Sequence, residues 1–313
     1  MKCRICKNSL GNALHYPREL MFGTQEIFEY MECGACGCLQ IAAIPENLGA
    51  YYPSDYYSFE PPRIKKQHPV ISYLRKQRSR HYLGNSALLG KLLALGSRPA
   101  EYFGWMRNYG LTLESSILDV GCGNGRMLLK LAREGFSNLL GVDPYIASPI
   151  DYGNGVKIIK GDIHTLDRQF DFVMLNHAFE HLPNPLKALT GLRAIVRNSG
   201  TLLLRIPVAS CYARRKYGIY WGGWDAPRHL FLHTVRSMSL LAQECRFTVE
   251  RVAYDSTIAQ IVISELYLRG IDQPSKAKLA LPKAQRLSLQ RFAEELNLRG
   301  DGDTACFYLR PVS

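Results

Sequence analysis

Residues Ser116–Gly125 read SILDVGCGNG, a short apolar run that ends near an acid and continues into a glycine-rich turn. The next segment, Arg126–Arg133, repeats apolar residues at helical spacing, so the pattern predicts a strand, a glycine turn and a helix. The turn is Gly-x-Gly-x-Gly. It therefore differs from the Gly-x-Gly-x-x-Gly of dinucleotide-binding enzymes, and no Gly-Lys-Ser/Thr phosphate loop follows it.

The alternation of apolar runs and helical stretches continues beyond this turn. Further strands are predicted at residues 139–143, 156–159, 170–175 and 201–206. Strands that alternate with helices indicate an α/β domain with a mostly parallel sheet, helices on both faces, and a ligand at the carboxyl ends of the strands.

Three acids mark the ends of the first three predicted strands: Asp119, Asp143 and Asp162. Asp143 follows Asp119 by 24 residues, the place from which a carboxylate can accept hydrogen bonds from both hydroxyls of a ribose. Asp162 can accept from an exocyclic amine. The order of acids therefore matches a ligand with a ribose, an adenine and a charged amino-acid tail.

With these motifs in place, residues 115–207 resemble the class I S-adenosylmethionine-dependent methyltransferases. The resemblance is carried by LDVGCGNG at 118–125, GVD at 141–143, GDI at 161–163 and FDFVMLNHAFEHLPNP at 170–185. It implies a doubly wound, seven-stranded, mostly parallel sheet in a Rossmann-like methyltransferase fold. Its last strand would be antiparallel, and Cys306–Arg310 suits that strand.

The resemblance also implies which residues bind S-adenosylmethionine. Asp119, Gly121 and Gly123 would line the methionyl end, and Asp143 would hold the ribose. The adenine would lie against Asp162 and Ile163, and Asn176, after the fourth strand, completes the predicted cofactor site.

Five of the nine cysteines lie within the first 38 residues. Cys3-x2-Cys6 and Cys33-x2-Cys36 form two pairs that can supply four thiolates to one tetrahedral Zn²⁺. We therefore predict a structural zinc-ribbon module at residues 1–48. Redox-active or merely buried cysteines are the alternative, and Cys38 is a weaker candidate for the fourth ligand than Cys36.

The net charge of +12 is unevenly distributed, because residues 61–110 hold ten Lys or Arg against one Glu. We predict a basic aromatic and helical connector at 49–112 that bridges two domains; an anion-binding face or a peripheral membrane contact through 61–110 is the alternative. The methyltransferase domain then spans 113–313, with a lid at 208–234 and a helical insertion at 256–302.

Transfer of a methyl group to a hydroxyl requires removal of a proton, and histidine titrates near neutral pH. The candidate bases are His181, just after the fourth strand, and His229, within YWGGWDAPRHLFLHT at 220–234. In the same segment Tyr220, Trp221 and Trp224 would wall the acceptor pocket, and Arg228 would hold an acceptor phosphate or carboxylate. The structural alternatives are a strand cap for His181 and core packing for the aromatic segment, and Glu180 is predicted to anchor its loop.

The paired cysteines and residues 220–234 are also similar to methyltransferases encoded among polysaccharide and sugar-modifying genes. The first functional hypothesis is therefore methyl transfer to a hydroxyl of a sugar, nucleotide-sugar or glycan intermediate. An RNA methyltransferase that binds phosphates through the ribbon and the connector is the second, and a non-catalytic cofactor-binding scaffold is the third. No run of about 20 apolar residues and no signal-like start is present, so a cytoplasmic location is expected.

Overall fold

The computed structural model describes residues 1–52, 68–85, 88–272 and 281–312. It divides the chain into two compact units, each assembled from separate stretches. Unit 1 comprises Met1–Pro53, His177–Leu189 and Leu204–Tyr308, and unit 2 comprises Ser54–Asn176, Thr190–Leu203 and Leu309–Ser313. Residues 53–67 and 86–87 of the predicted connector, and 273–280 of the predicted insertion, lie outside the described residues.

The regular elements of the described residues are as follows. The strands are β1 Ala13–His15, β2 Tyr30–Glu32, β3 Leu39–Ile41, β4 Ser116–Val120, β5 Asn138–Asp143, β6 Ile150–Asp151, β7 Val156–Lys160, β8 Phe170–Asn176, β9 Val196–Pro207, β10 Phe231–Leu232, β11 Phe247–Tyr254 and β12 Thr304–Pro311. The helices are α1 Pro69–Tyr82, α2 Leu88–Ala94, α3 Glu101–Met106, α4 Arg126–Glu134, α5 Pro185–Ile195, α6 Tyr212–Tyr217, α7 Val235–Glu244, α8 Ile258–Leu268 and α9 Lys283–Leu298.

Unit 2 contains a mostly parallel sheet with the strand order β9-β8-β4-β5-β7-β6. Strand β4 pairs in parallel with both β5 and β8, and β5 pairs in parallel with β7. The central strands are apolar along most of their length because both faces are covered, and Ile117, Phe172 and Val173 are fully buried. The predicted α/β architecture is confirmed, and the two-residue strand β6 adds an antiparallel edge that the seven-stranded prediction did not contain.

Basic residues of α1 contact an acid at the end of α4, within unit 2. Glu134 lies 3.4 Å from Arg78 and 3.8 Å from Arg75, and the Ser79 hydroxyl donates to it at 3.1 Å. The Lys76 side chain covers Gly135, where an added Cβ would lie 2.4 Å from Lys76 Cγ. Some of the basic side chains of α1 therefore pack against α4 within unit 2.

Unit 1 contains a second, small sheet with the strand order β1-β2-β3-β10. Its first three strands form the antiparallel meander of the N-terminal module. The fourth, β10, comes from the predicted lid and pairs antiparallel with β3, with Phe231 opposite Gln40 and Leu232 opposite Leu39. The lid and the N-terminal module therefore share one sheet.

The rest of unit 1 includes the strand order β11-β12-β9, in which the C-terminal strand β12 lies between its neighbours. Strand β12 begins with buried residues, as expected of an internal strand, and contains the predicted segment Cys306–Arg310. No helix among the described residues has the length and apolar character needed to cross a membrane.

Candidate cofactor and acceptor sites

The acids predicted from the sequence lie at one edge of the sheet of unit 2. Asp119 and Asp143 end the neighbouring strands β4 and β5, and Asp162 and Asn176 lie at or after the ends of β7 and β8. Because these strands are parallel, their carboxyl ends lie at the same edge. The structure therefore brings together the residues that the sequence separates by more than 50 positions.

The glycine turn between β4 and α4 has a left-handed backbone conformation that residues with a side chain adopt only with strain. Gly121, Gly123 and Gly125 all have positive φ values, of 72°, 52° and 70°. The Gly123 amide donates to Asp143 Oδ2 at 2.8 Å, and the Tyr145 amide donates to Oδ1 of the same carboxylate at 2.8 Å. The Asp143 carboxylate is thus held in place by two main-chain amides and ties the glycine turn to the end of β5.

Asp119 is buried beside Asp143, with 4% of its surface exposed. Burial, and then the Asp143 charge, raise the pKa of Asp119 to about 8. This carboxyl group therefore retains its proton near neutral pH unless a cation approaches it. An ammonium group at the methionyl end of a ligand would supply such a cation.

The third strand end presents a more exposed acid. Asp162 Oδ1 accepts from the His164 amide at 2.8 Å and caps the short 3₁₀ turn Ile163–Thr165. The Ile163 side chain is buried, with 8% of its surface exposed. The apolar Ile163 side chain suits contact with the face of a flat heterocycle, and the exposed Asp162 carboxylate suits a hydrogen bond from its amino group.

The four predicted zinc ligands form one cluster in unit 1. Cys3 Sγ lies 3.7 Å from Cys36 Sγ, and Cys6 Sγ lies 3.4 Å from Cys33 Sγ. The four sulfur atoms all lie within 4.8 Å of one another. A tetrahedral Zn²⁺ with Zn–S bonds of about 2.3 Å places its sulfurs about 3.8 Å apart, so this donor set fits the ion.

Cys38 lies outside this cluster. Its Sγ is 3.9 Å from Nδ1 of the buried His233 and 3.5 Å from the Leu39 carbonyl oxygen. By contrast, two sulfurs of the cluster accept hydrogen bonds from main-chain amides. The Ile5 amide donates to Cys3 Sγ and the Cys36 amide donates to Cys33 Sγ, each at 3.4 Å. The geometry thus selects Cys36 over Cys38 as the fourth member of the cluster.

The two candidate bases also lie together in unit 1. The rings of His181 and His229 have centroids 4.8 Å apart. His181 Nδ1 is 2.8 Å from the Arg228 carbonyl oxygen, and His229 Nδ1 is 2.9 Å from the Gly223 carbonyl oxygen. Since a carbonyl only accepts, each Nδ1 carries a proton and each neutral ring keeps its lone pair on Nε2. Burial, and then the nearby His229, lower the pKa of His181.

A fully buried carboxylate, Glu180, stands beside this pair. Its Oε1 is 3.4 Å from His177 Nδ1 and 3.9 Å from His229 Nε2. Burial alone would raise the pKa of Glu180, but the neighbouring His177, His181 and His229 outweigh burial and lower the pKa to about 2. Glu180 is therefore a buried anion at neutral pH.

Comparison with known proteins places the chain in a family. A family model described as a methyltransferase domain matches residues 75–252, which is more than half of the chain. The chain belongs to this methyltransferase family. The class I S-adenosylmethionine-dependent methyltransferase predicted from the motifs is thereby confirmed, and the enzyme takes its methyl group from S-adenosylmethionine.

Individual relatives share different parts of the methyltransferase. A protein of Encephalitozoon cuniculi (strain GB-M1) named as a methyltransferase is 30% identical over 163 residues, covering 46% of this chain and 75% of that protein. EEF1A lysine methyltransferase 2 of Homo sapiens is 42% identical over 52 residues, which cover 17% of this chain and only 22% of the human protein. A solved structure described as a sarcosine dimethylglycine methyltransferase of Galdieria sulphuraria aligns with a TM-score of 0.44 and 13% identity, over 76% of this chain and 98% of that one.

The aromatic residues of the segment 220–234 differ in exposure. Trp221 and Trp224 are buried, and Trp224 packs against Tyr30 of the N-terminal module with ring centroids 5.3 Å apart. Tyr220 keeps 37% of its surface exposed. Of the three, Tyr220 is the one with surface available to an acceptor.

Arg228 is fully buried and surrounded by acceptors. Its guanidinium donates to Asp225, to Glu19 at 3.3 Å and to the Tyr51 carbonyl oxygen at 3.3 Å. The sequence predicted that this side chain holds an acceptor phosphate or carboxylate. The structure instead surrounds it with carboxylates of the protein, an arrangement that favours a positioning role.

Two acids of this neighbourhood were not predicted as site residues. Asp225 Oδ2 lies 3.6 Å from His229 Nε2, and Glu19 lies more than 200 positions from Arg228 in the sequence. Asp225 lies within the segment 220–234, three and four positions before Arg228 and His229, so the sequence spacing could have predicted its contact with them. Nothing in the local sequence around Glu19 indicates its partner.

Proposed function

We propose that this methyltransferase transfers the methyl group of S-adenosylmethionine to a hydroxyl of a sugar, a nucleotide sugar or a glycan intermediate. The observation that carries the proposal is the pair His181 and His229, whose Nδ1 protons are held by main-chain carbonyls. Each ring thus offers an Nε2 lone pair to a hydroxyl proton. Tyr220, an exposed aromatic residue nine positions before His229 in the sequence, suits stacking on a sugar ring.

In this proposal the two sets of residues have separate tasks. Asp119, with Gly121 and Gly123, binds the methionyl end of the cofactor, Asp143 the ribose, and Asp162 with Ile163 and Asn176 the adenine side. The sulfonium already carries a good leaving group, so the protein must orient the acceptor oxygen in line with the methyl carbon and remove its proton. One of the two imidazoles takes that proton, while Trp221 and Trp224 keep water out.

We propose further that the cysteine cluster binds one structural Zn²⁺. The sulfur separations of 3.4 and 3.7 Å support this assignment. Such an ion would fix the turns that carry β2 and β3 and, through the β3–β10 pairing, the lid strand. None of the nine cysteines, all of which lie in the described residues, forms a disulfide, which agrees with a reducing compartment such as the cytoplasm.

The direct test is incubation with labelled S-adenosylmethionine and four acceptor pools: nucleotide sugars, glycans, RNA and protein. We expect label in the sugar-containing pools. Label confined to RNA would favour the basic connector as a phosphate-binding surface. Label confined to protein lysine would match the activity named for the human relative, and either result would overturn the sugar assignment.

The general base is tested with His181→Ala and His229→Ala. Loss of a positioned base lowers turnover by about 10²–10⁴-fold, so at least one variant should fall within this range while still binding S-adenosylmethionine. Near wild-type turnover in both variants would show that neither imidazole removes the proton.

A further inference from the structure

Among the described residues, a buried anion with only long contacts to imidazole nitrogens, 3.4 Å to His177 and 3.9 Å to His229, lies in unit 1. Glu180 has no exposed surface, and within the described residues neither of its carboxylate oxygens has a hydrogen-bond partner. A buried carboxylate left in this state is costly unless a cation or a donor is supplied. The nearest groups with a lone pair or a proton are imidazoles.

The three side chains are arranged as a ligand set. One donor atom from each of Glu180, His181 and His229 lies within 4.8 Å of the other two. A cation with bonds of about 2.0–2.2 Å requires adjacent donor atoms about 3 Å apart, so closure by up to about 2 Å would complete the set. Two imidazoles and one carboxylate are a donor combination that divalent transition metals prefer.

The groups behind these side chains are also those expected of a metal site. The Nδ1 protons of His181 and His229 are directed at main-chain carbonyls, which orients Nε2 as the ligand atom. Behind Glu180, His177 Nδ1 faces the carboxylate while its Nε2 contacts the Arg205 guanidinium. The side chains are therefore fixed from outside, with one donor atom of each within 4.8 Å of the other two.

The buried charges near these imidazoles favour a cation. Arg228 faces two carboxylates, Asp225 and Glu19, and Glu180 adds a third negative charge. Asp225 Oδ2 is also 3.6 Å from His229 Nε2. A divalent ion at Glu180 would balance the excess negative charge.

We propose that Glu180, His181 and His229 bind a divalent transition-metal cation, separate from the Zn²⁺ of the cysteine cluster. The proposal replaces one part of the proposed function, the imidazole base, because the Nε2 lone pairs would be donated to the metal; methyl transfer to a sugar hydroxyl is unchanged by it. Three protein donors leave coordination positions open for water or for an oxygen atom of a ligand.

The experiment uses the full chain loaded with one equivalent of Zn²⁺ per chain, so that the four thiolates are occupied and no Zn²⁺ remains for the second site, and Mn²⁺ as the probe. Mn²⁺ prefers carboxylate and other oxygen ligands over thiolate, and its electron paramagnetic resonance signal distinguishes bound from free ion. We expect one Mn²⁺ per chain. Glu180→Gln and His229→Ala should each weaken Mn²⁺ binding by about 10–100-fold or more, because they remove ligands directly.

His15→Asn is the matched control, since His15 lies in the same unit but hydrogen bonds to Glu32 and is not part of the cluster. It should bind Mn²⁺ like the wild type. Glu180→Gln conserves volume and keeps the proposal testable if His229→Ala does not fold. Absence of Mn²⁺ binding at millimolar concentration, or equal binding by wild type and Glu180→Gln, would overturn the site.

The outcomes also separate this site from the proposed function. Mn²⁺ binding requires neither S-adenosylmethionine nor an acceptor. If Mn²⁺ binds but no sugar pool is labelled, the cation site is supported and the sugar assignment is wrong. Label in a sugar pool without Mn²⁺ binding removes the cation site and leaves His181 and His229 as proton acceptors.

Discussion

The cofactor edge of unit 2 and the imidazole cluster of unit 1 are built in different ways. At the cofactor edge each functional residue follows its own strand, and the parallel order of β4, β5, β7 and β8 aligns them. In unit 1, Glu19, Tyr51 and Arg228 meet across some 200 positions of sequence. Local elements therefore suffice to place the predicted cofactor residues, whereas the proposed acceptor residues depend on long-range pairing with the N-terminal module.

The largest expected effect comes from removing a ligand of the proposed N-terminal Zn²⁺. Structural Zn²⁺ contributes about 10–16 kcal/mol in small zinc modules, so Cys33→Ser should unfold the β1–β3 meander and release β10. Turnover should be lost while S-adenosylmethionine binding, measured by calorimetry, persists, because the predicted cofactor residues belong to unit 2.

Cys38→Ser is the control for this experiment, since its sulfur lies outside the cluster. It should retain zinc and turnover. Equal loss of cofactor binding and turnover in Cys33→Ser would contradict the expectation that unit 2 binds the cofactor independently of the cysteine cluster in unit 1.

The second effect is the loss of a buried ion-pair partner. Arg228→Met leaves Asp225 and Glu19 without their guanidinium and should reduce the free energy of unfolding by about 3–5 kcal/mol. Urea denaturation measures the change. Arg228→Lys should recover part of it through charge alone, and a stability equal to wild type in Arg228→Met would exclude the positioning role.

A third effect concerns Asp119 at the cofactor edge. Its pKa is raised to about 8 by burial and by Asp143, whereas an unfolded Asp titrates near 4. Between these values the folded protein keeps a proton that the unfolded chain has lost, so this group makes stability fall as pH rises from about 4 to 8. Asp119→Asn should therefore gain stability relative to wild type between pH 5 and pH 9 in urea denaturation.

The same variant should bind S-adenosylmethionine about 10-fold or more weakly, because the cofactor ammonium loses a charged partner. In the wild type, binding should release protons near pH 7, which calorimetry in buffers of different ionisation enthalpy detects. Identical stability profiles for both proteins would show that Asp119 has an ordinary pKa in the folded state.

The smallest effect is expected at the basic helix α1. Arg78→Gln removes one contact of the largely buried Glu134 and should cost about 1 kcal/mol in the free energy of unfolding. Arg80→Gln is the matched control, since its pairing with the exposed Glu114 at 3.8 Å should contribute less than about 0.5 kcal/mol. Equal effects of the two substitutions would mean that the packing of α1 does not use its charges.

The strands of unit 2 could be predicted from the sequence because each is a short apolar run next to its own turn signal. The cysteine cluster was predictable for a related reason: its spacing alone restricts the geometry. The neighbours of Arg228 were not, since its ion pair with Glu19 arises from tertiary packing. Glu180 was predicted as a loop anchor, and only the structure reveals that its carboxylate is buried beside His181 and His229 with no hydrogen-bond partner among the described residues.

The pairing of β10 with β3 also bears on synthesis. Gln40 finds its strand partner Phe231 only after 191 further residues have been added. At about 5–20 residues per second this interval is roughly 10–40 s. During that time β3 has an unpaired edge on the nascent chain, so early metal loading of the cysteine pairs would protect an exposed strand until its distant partner emerges.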